Sequence, residues 1–173
     1  IYAGGLCDHV WYGFCRYSTD RFYLVPHFEK MLYANALLIL AYCKAGELTS
    51  QPLYREIAEK TASYVLSEMT DPDGEFYSAQ DADSDGEEGK YYVFTPEEIT
   101  RLLGETDGTA FCDHFGITKA GNFEGKSIPN LLQAQDPAET RFDRFLPAVR
   151  EYRRQRTRLH TDDKVLTSWN ALM

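Results

Sequence analysis

The sequence predicts a mainly helical fold, a partial α/α toroid built of helical hairpins with short β-ribbons between them. Three observations carry this. A helix-length run that is apolar on every side precedes one that is apolar along a single stripe, the pattern of an inner and an outer helix. Aromatic ribbons stand before successive helices, which a plain bundle would not need. The arrangement also recurs weakly: Gly13-Phe14 with its ribbon to Val25, then Gly74-Glu75-Phe76 with another, then Trp169-Asn170 at the start of a further inner helix.

The first helix is expected over His27–Ala45. Phe28, Met31, Leu32, Ala36, Ile39 and Tyr42 recur at helical spacing, while Tyr33, Leu37, Leu40, Ala41 and Cys43 fill the other sides. Such a helix should be buried all round and end at Gly46. From Pro52 to Met69 the pattern changes, with Leu53, Ile57, Ala58, Thr61, Tyr64 and Val65 on one stripe and Arg55, Glu56, Glu59 and Lys60 away from it. Asp71-Pro72-Asp73-Gly74 reads as a type I turn. Two short strands, Glu75–Ser78 and Lys90–Phe94, should then flank an acidic loop. Thr95-Pro96-Glu97-Glu98 opens the next helix with a cap, a proline at its first position and a capping-box Glu, and Gly104 stops it. A short helix is expected over Ala110–Phe115 and a long one near Ala138–Arg158, whose Arg150, Arg153, Arg154 and Arg156 suit a salt-bridged outer face.

Composition narrows the function. The 173 residues carry 18 Lys and Arg against 27 Asp and Glu, a net charge of −9, which argues against a nucleic-acid partner. With 43% apolar and 14% aromatic residues the chain can bury the core of one ordinary domain. The longest apolar run, Met31–Cys43, is interrupted by Asn35 and is too short for a membrane span. Ile1–Gly5 lacks the basic start and apolar stretch of a signal peptide, and both ends read as cuts, so residues 1–173 are expected to be one fragment of a larger domain. Cys7, Cys15, Cys43 and Cys112 form no C-x-x-C pair and read as reduced, inert thiols of a cytoplasmic protein. His9, His114 and His160 have no zinc-ligand spacing. No phosphate-cradling glycine loop or nucleophile elbow is present, and no cofactor is indicated.

Several residues are candidates for chemistry. Asp81, Asp83, Asp85 and Gly86 fall at positions one, three, five and six of an EF-hand loop, but the twelfth is Tyr92 instead of Glu. That argues against EF-hand calcium sensing. It leaves an irregular calcium site using Glu87 or Glu88, a solvated ribbon tip, or carboxylates that accept from sugar hydroxyls and exchange protons with them. His27 and Glu29, at the expected start of the first helix, form an imidazole–carboxylate pair suited to acid–base work, or else a helix cap. Arg16 and Asp20 in the preceding ribbon are ligand-binding candidates or partners of neighbouring charges. Trp169 and Asn170 could stack on and hydrogen-bond to a sugar ring, although a Trp there is commonly core.

Five ordered blocks carry a family resemblance: Gly13-Phe14-x-Arg16-Tyr17-Ser18-x-Asp20; Val25-Pro26-His27-Phe28-Glu29-Lys30-Met31-Leu32-Tyr33; Ser78-Ala79-x-Asp81-Ala82-Asp83-Ser84-x-Gly86-Glu87-Glu88-Gly89; Gly121-Asn122-x-Glu124-Gly125; and Asp162-Asp163-Lys164-x-Leu166-x-Ser168-Trp169-Asn170. Together they resemble the spermatogenesis-associated protein 20 family. The resemblance implies a six-hairpin, (α/α)6 toroid, similar to sugar epimerases and glycoside hydrolases of that fold, joined in the intact protein to a thioredoxin-like domain that these residues do not include. It implies a sugar or polyol ligand, with His27, Glu29, Asp81 and Asp83 as acid–base or hydroxyl-binding groups and Arg16, Asp20, Trp169 and Asn170 shaping the cleft. A non-catalytic binding or scaffold domain attached to the redox partner is the alternative. Cys15, Ala34 and Ala171 depart from the His, Asp and Gly common in the family, and Trp11-Tyr12 replaces small glycines. A partial ring should leave apolar helix flanks uncovered and promote self-association.

Overall fold

A computed structural model describes all residues, Ile1–Met173. The chain is helix-rich with small antiparallel sheets. Residues 1–31 contain no helix: β1 (Tyr17–Ser18) pairs with β2 (Pro26–His27), and β3 (Lys30–Met31) leads into helix α1 (Leu32–Thr49). Helix α2 (Pro52–Glu68) turns back along α1 to form the expected hairpin. The central strand β4 (Tyr77–Gln80) lies between β3 and β7 (Thr161–Val165). The acidic loop is itself a ribbon, β5 (Asp83–Ser84) against β6 (Glu87–Glu88). Asp85 and Gly86 turn it with φ of 53° and 79°, which an Asp-Gly pair adopts readily. Helices α3 (Pro96–Leu103), α4 (Glu105–His114), α5 (Leu146–Arg156) and the four-residue α6 (Thr167–Asn170) complete the chain.

The amphipathic elements form as their patterns dictate. In α2 the buried residues are Ile57, Ala58, Thr61, Tyr64 and Val65, five members of the predicted stripe. The Thr95 hydroxyl accepts from the Glu98 N–H and the Glu98 carboxylate accepts from the Thr95 N–H at 2.8 Å, completing the capping box. That same carboxylate takes the Tyr152 hydroxyl at 2.9 Å and Arg156 at 3.1 Å, so one local cap also ties α3 to α5. The arginines of α5 are largely paired, Arg150 and Arg154 both with Glu68 of α2.

Other expectations are corrected. Helix α1 is not buried all round. Only Leu32, Asn35 and Ala36 are buried, whereas Leu37 and Leu40 are 50% and 56% exposed, because α2 and the N-terminal segment cover one flank and nothing within the chain covers the other. The helix also starts later and ends later than the pattern implies. Extended pairing holds the chain through Met31, and Ser50 ends the helix in the left-handed conformation, past Gly46. Of the expected Lys90–Phe94 strand, Lys90–Tyr92 is a turn and only Phe94 makes a β-bridge, to Ser127, while β4 pairs with β7. Helix α4 begins directly after Gly104, and Gly108 lets it approach α3 closely: a Cβ there would sit 2.6 Å from the Thr100 Cα. Residues 138–142 are not α-helical, since the Pro147 ring would strike the Asp143 carbonyl in a continuous helix; α5 starts at Leu146 instead. The largest core lies beneath α3, α4 and α5, around Phe94, Ile99, Phe111, Phe142 and Val149, and not around α1.

Candidate functional site

His27 and Glu29 do not occupy a helix N-terminus. His27 ends β2, Glu29 lies in the link to β3, and α1 starts only at Leu32, so the cap and dipole roles do not apply. The ribbons gather these residues with others instead. His27 Nδ1 stands 3.0 Å from Glu88 Oε1, and its Nε2 is 3.7 Å from Glu29 Oε2. Arg16 Nη1 donates to the same Glu29 oxygen at 3.1 Å. The Tyr17 ring, cross-strand from His27, stacks on the imidazole with centroids 5.1 Å apart and planes at 26°. The cluster is open surface and not a cleft, with side chains between 24% and 48% exposed for Arg16, His27, Glu29 and Glu88.

The chemistry follows from the donor inventory. An ionised carboxylate only accepts, so a neutral His27 that donates to Glu88 would carry its proton on Nδ1 and keep Nε2 as an acceptor. A neutral imidazole oriented in this way can take a proton from a hydroxyl or an activated C–H and return it. Glu29, paired with Arg16, stands beside the nitrogen that would change charge.

The other candidates separate. Asp83 lies directly opposite Glu88 in the β5–β6 ribbon. Asp81 turns elsewhere, 3.2 Å from His160 Nδ1. Asp85 accepts from the Thr157 hydroxyl at 2.7 Å and pairs with Lys90, so the aspartates of the EF-hand-like string do not converge on one site. No group of three or more His, Cys, Asp or Glu side chains converges where a metal ion could sit. Asp20 is a loop-former: its carboxylate accepts from the backbone of Phe22 at 2.5 Å and Val25 at 2.5 Å. Desolvation opposes its ionisation, but the N–H donors of Val25, Phe22, Leu24 and Tyr23 outweigh it and hold the carboxyl below its usual range. Asn170 has both ends of its amide engaged, accepting from Phe76 N–H at 2.8 Å and donating to Phe76 O at 2.9 Å. Trp169 packs edge-on against Tyr33 at 4.9 Å and lies half-buried against the Leu32, Tyr64 and Met69 cluster.

Sequence reasoning missed two things. The sequence marks Glu88 as one carboxylate of the acidic string but does not pair it with His27, 61 residues away. The second is a buried charge cluster. Asp8 accepts from Lys30 Nζ at 2.8 Å and Arg153 Nη1 at 2.9 Å, with all three side chains at most 4% exposed. Lys30 also lies over the Tyr64 ring at 4.3 Å, and Arg153 over Tyr91 at the same distance. Burial works against the Asp8 carboxylate, but the two cations prevail and hold it well below the usual range. No local pattern announces a pair 145 positions apart. The buried thiols are inert, with desolvation pushing Cys15 up to about 12 and Cys112 up to about 11.

A helical hairpin joined to aromatic β-ribbons, with an imidazole flanked by carboxylates on the ribbon surface, defines a helix-rich fold with small antiparallel sheets. Over the quarter of the family's length that it spans, the chain belongs to the spermatogenesis-associated protein 20 family. It is 38% identical to Spermatogenesis-associated protein 20 of Homo sapiens over 206 aligned residues, covering 98% of this chain and 26% of that protein. The Mus musculus protein of that name is 35% identical over the same share, and an uncharacterized protein of Caenorhabditis elegans is 30% identical over 98% of this chain and 28% of its own length. No family model matches the chain. No helix is long and apolar enough to cross a membrane.

Proposed function

We propose that the chain is part of a carbohydrate-active α/α toroid whose ribbon surface binds a sugar or polyol, with His27 as the proton-transferring group. The observation that carries this reading is the imidazole oriented by Glu88 at 3.0 Å and flanked by Glu29. Arg16 and the carboxylates suit hydroxyl groups, and the Tyr17 ring, 51% exposed, offers an apolar face to a pyranose. The hairpin of α1 and α2 supports the toroid, since the open α1 flank is the kind of surface a neighbouring hairpin covers in a ring. Neither an epimerase nor a hydrolase is favoured by the geometry.

The test is a thermal-shift screen of the intact protein against monosaccharides and disaccharides, followed by activity measurement on the sugar that binds. The His27→Ala, Glu29→Gln double variant should lose activity with that sugar while still folding. Full activity in the double variant would refute the catalytic assignment and favour a scaffold attached to a thioredoxin-like domain.

A further inference from the structure

We propose that a cleft lined by none of the ribbon residues binds a small uncharged molecule carrying a primary carboxamide. It lies where the N-terminal segment, α2, the end of α4 and the 137–143 segment meet, and its walls include Tyr2, His9, Tyr12, Lys60, His114 and Phe115. The site is independent of the sugar-binding reading. Its free space is about 30 Å³, room for about two or three water-sized groups. The polar groups around that space have hydrogen-bonding capacity that the chain leaves unused. His9, 5% exposed, meets the Gly4 carbonyl through Nε2 at 3.1 Å. A carbonyl only accepts, so a neutral His9 carries its proton on that nitrogen and keeps Nδ1 as an acceptor, which no group in the chain fills. Burial holds the ring neutral, with its pKa lowered to about 4. His114 is also buried, and Glu139 stands 3.9 Å from its Nδ1, beyond hydrogen-bond reach. The hydroxyls of Tyr2 and Tyr12 make no hydrogen bond within the chain.

The charges at the cleft are already matched. Lys60 lies between Glu56 at 2.7 Å and Asp143 at 3.4 Å, and Glu139 holds Arg141 at 2.6 Å. An anion would meet those carboxylates and a cation the Lys60 ammonium, so the guest is uncharged. The walls are rings in contact: His9 stands edge-on to Tyr2 at 5.4 Å and tilted to Phe115 at 6.1 Å, and Phe115 is edge-on to His114 at 4.7 Å. Such walls favour a flat guest. A primary carboxamide matches the whole set. Its N–H donates to His9 Nδ1, and its carbonyl accepts from a tyrosine hydroxyl or from the Lys60 proton that neither carboxylate uses. A carboxylate has no donor for Nδ1, and a tertiary amide has lost its own.

The experiment is a titration of the full chain at neutral pH with acetamide, acetate and N,N-dimethylacetamide, followed through the ring C–H resonances of His9 and His114 by NMR and repeated in His9→Phe. Acetamide should shift both rings saturably and bind about ten-fold tighter than the other two, each of which leaves the buried acceptor unfilled. His9→Phe, checked as folded by thermal melting, should lose that preference, as read from His114. If His9→Phe does not fold, the ratio between the three compounds decides by itself. Absence of a saturable shift with acetamide, equal affinity for the three compounds, or a preference unchanged in folded His9→Phe would overturn the site.

Discussion

Removing the Asp8 carboxylate should be among the most damaging single changes in this chain. Asp8→Ala strands two cations that are each 1% exposed: Lys30, bonded at 2.8 Å, and Arg153, bonded at 2.9 Å. It also orphans the Val10 N–H, which donates to the same carboxylate at 3.0 Å. Breaking a buried pair by deleting one partner costs about 3–5 kcal/mol, and an unsatisfied buried amide about 1 kcal/mol more. A loss of about 4 kcal/mol or more is expected, roughly a thousand-fold in the unfolding equilibrium. Lys30→Met is the control. It leaves Asp8 and Arg153 as a one-to-one pair and keeps an apolar stem against Tyr64, so its cost should stay near 1 kcal/mol. Urea denaturation followed by the fluorescence of Trp11, beside Asp8, measures both. If Asp8→Ala costs no more than Lys30→Met, the cluster is not held by charge and the reasoning fails. Because the folded carboxyl lies below its usual range, this stabilisation is present at neutral pH and is lost as pH falls below the unfolded carboxyl's range.

His9 should impose a second pH dependence with its own window. Burial lowers its pKa from 6.5 to about 4 although Nε2 bonds the Gly4 carbonyl at 3.1 Å, so the unfolded chain binds the extra proton between those values. Stability should rise by about 3 kcal/mol as pH goes from 4 to 6.5 and then level off, and His9→Gln should flatten the slope seen in urea midpoints across that range. Thr95→Ala should destabilise by about 1 kcal/mol, read by thermal melting, through loss of the hydroxyl that accepts the Glu98 N–H. Leu37, Leu40, Leu48 and Leu66 are all at least half exposed, so the chain on its own should self-associate in sedimentation, and Leu37→Lys with Leu40→Lys should shift it toward monomer. A monomer at all concentrations before mutation would refute this last expectation.

The features legible in the amino-acid order are those encoded within a few residues. The stripe from Leu53 to Val65, the Thr95–Glu98 box and the Asp-Gly ribbon turn each depend on neighbours at short fixed spacing. Pro147 was an equally local signal that should have placed the start of α5. His27 and Glu29 are legible as a pair because they stand two positions apart, but the helix start expected there is an extended segment that also brings Arg16 to Glu29. Other features depended on which distant segments meet. The all-apolar pattern of α1 states that the helix needs partners, and folding shows that this chain supplies them on one flank only. Strand pairing is non-local, so no local pattern marks β7, and the aromatic run Lys90–Phe94 reads as a strand although Lys90–Tyr92 is a turn. The groups that orient or stabilise come from furthest away: Glu88 on His27 across 61 residues and Arg153 on Asp8 across 145. A charged side chain carries no mark of its eventual partner, because which opposite charge it meets depends on which distant segments the fold brings together.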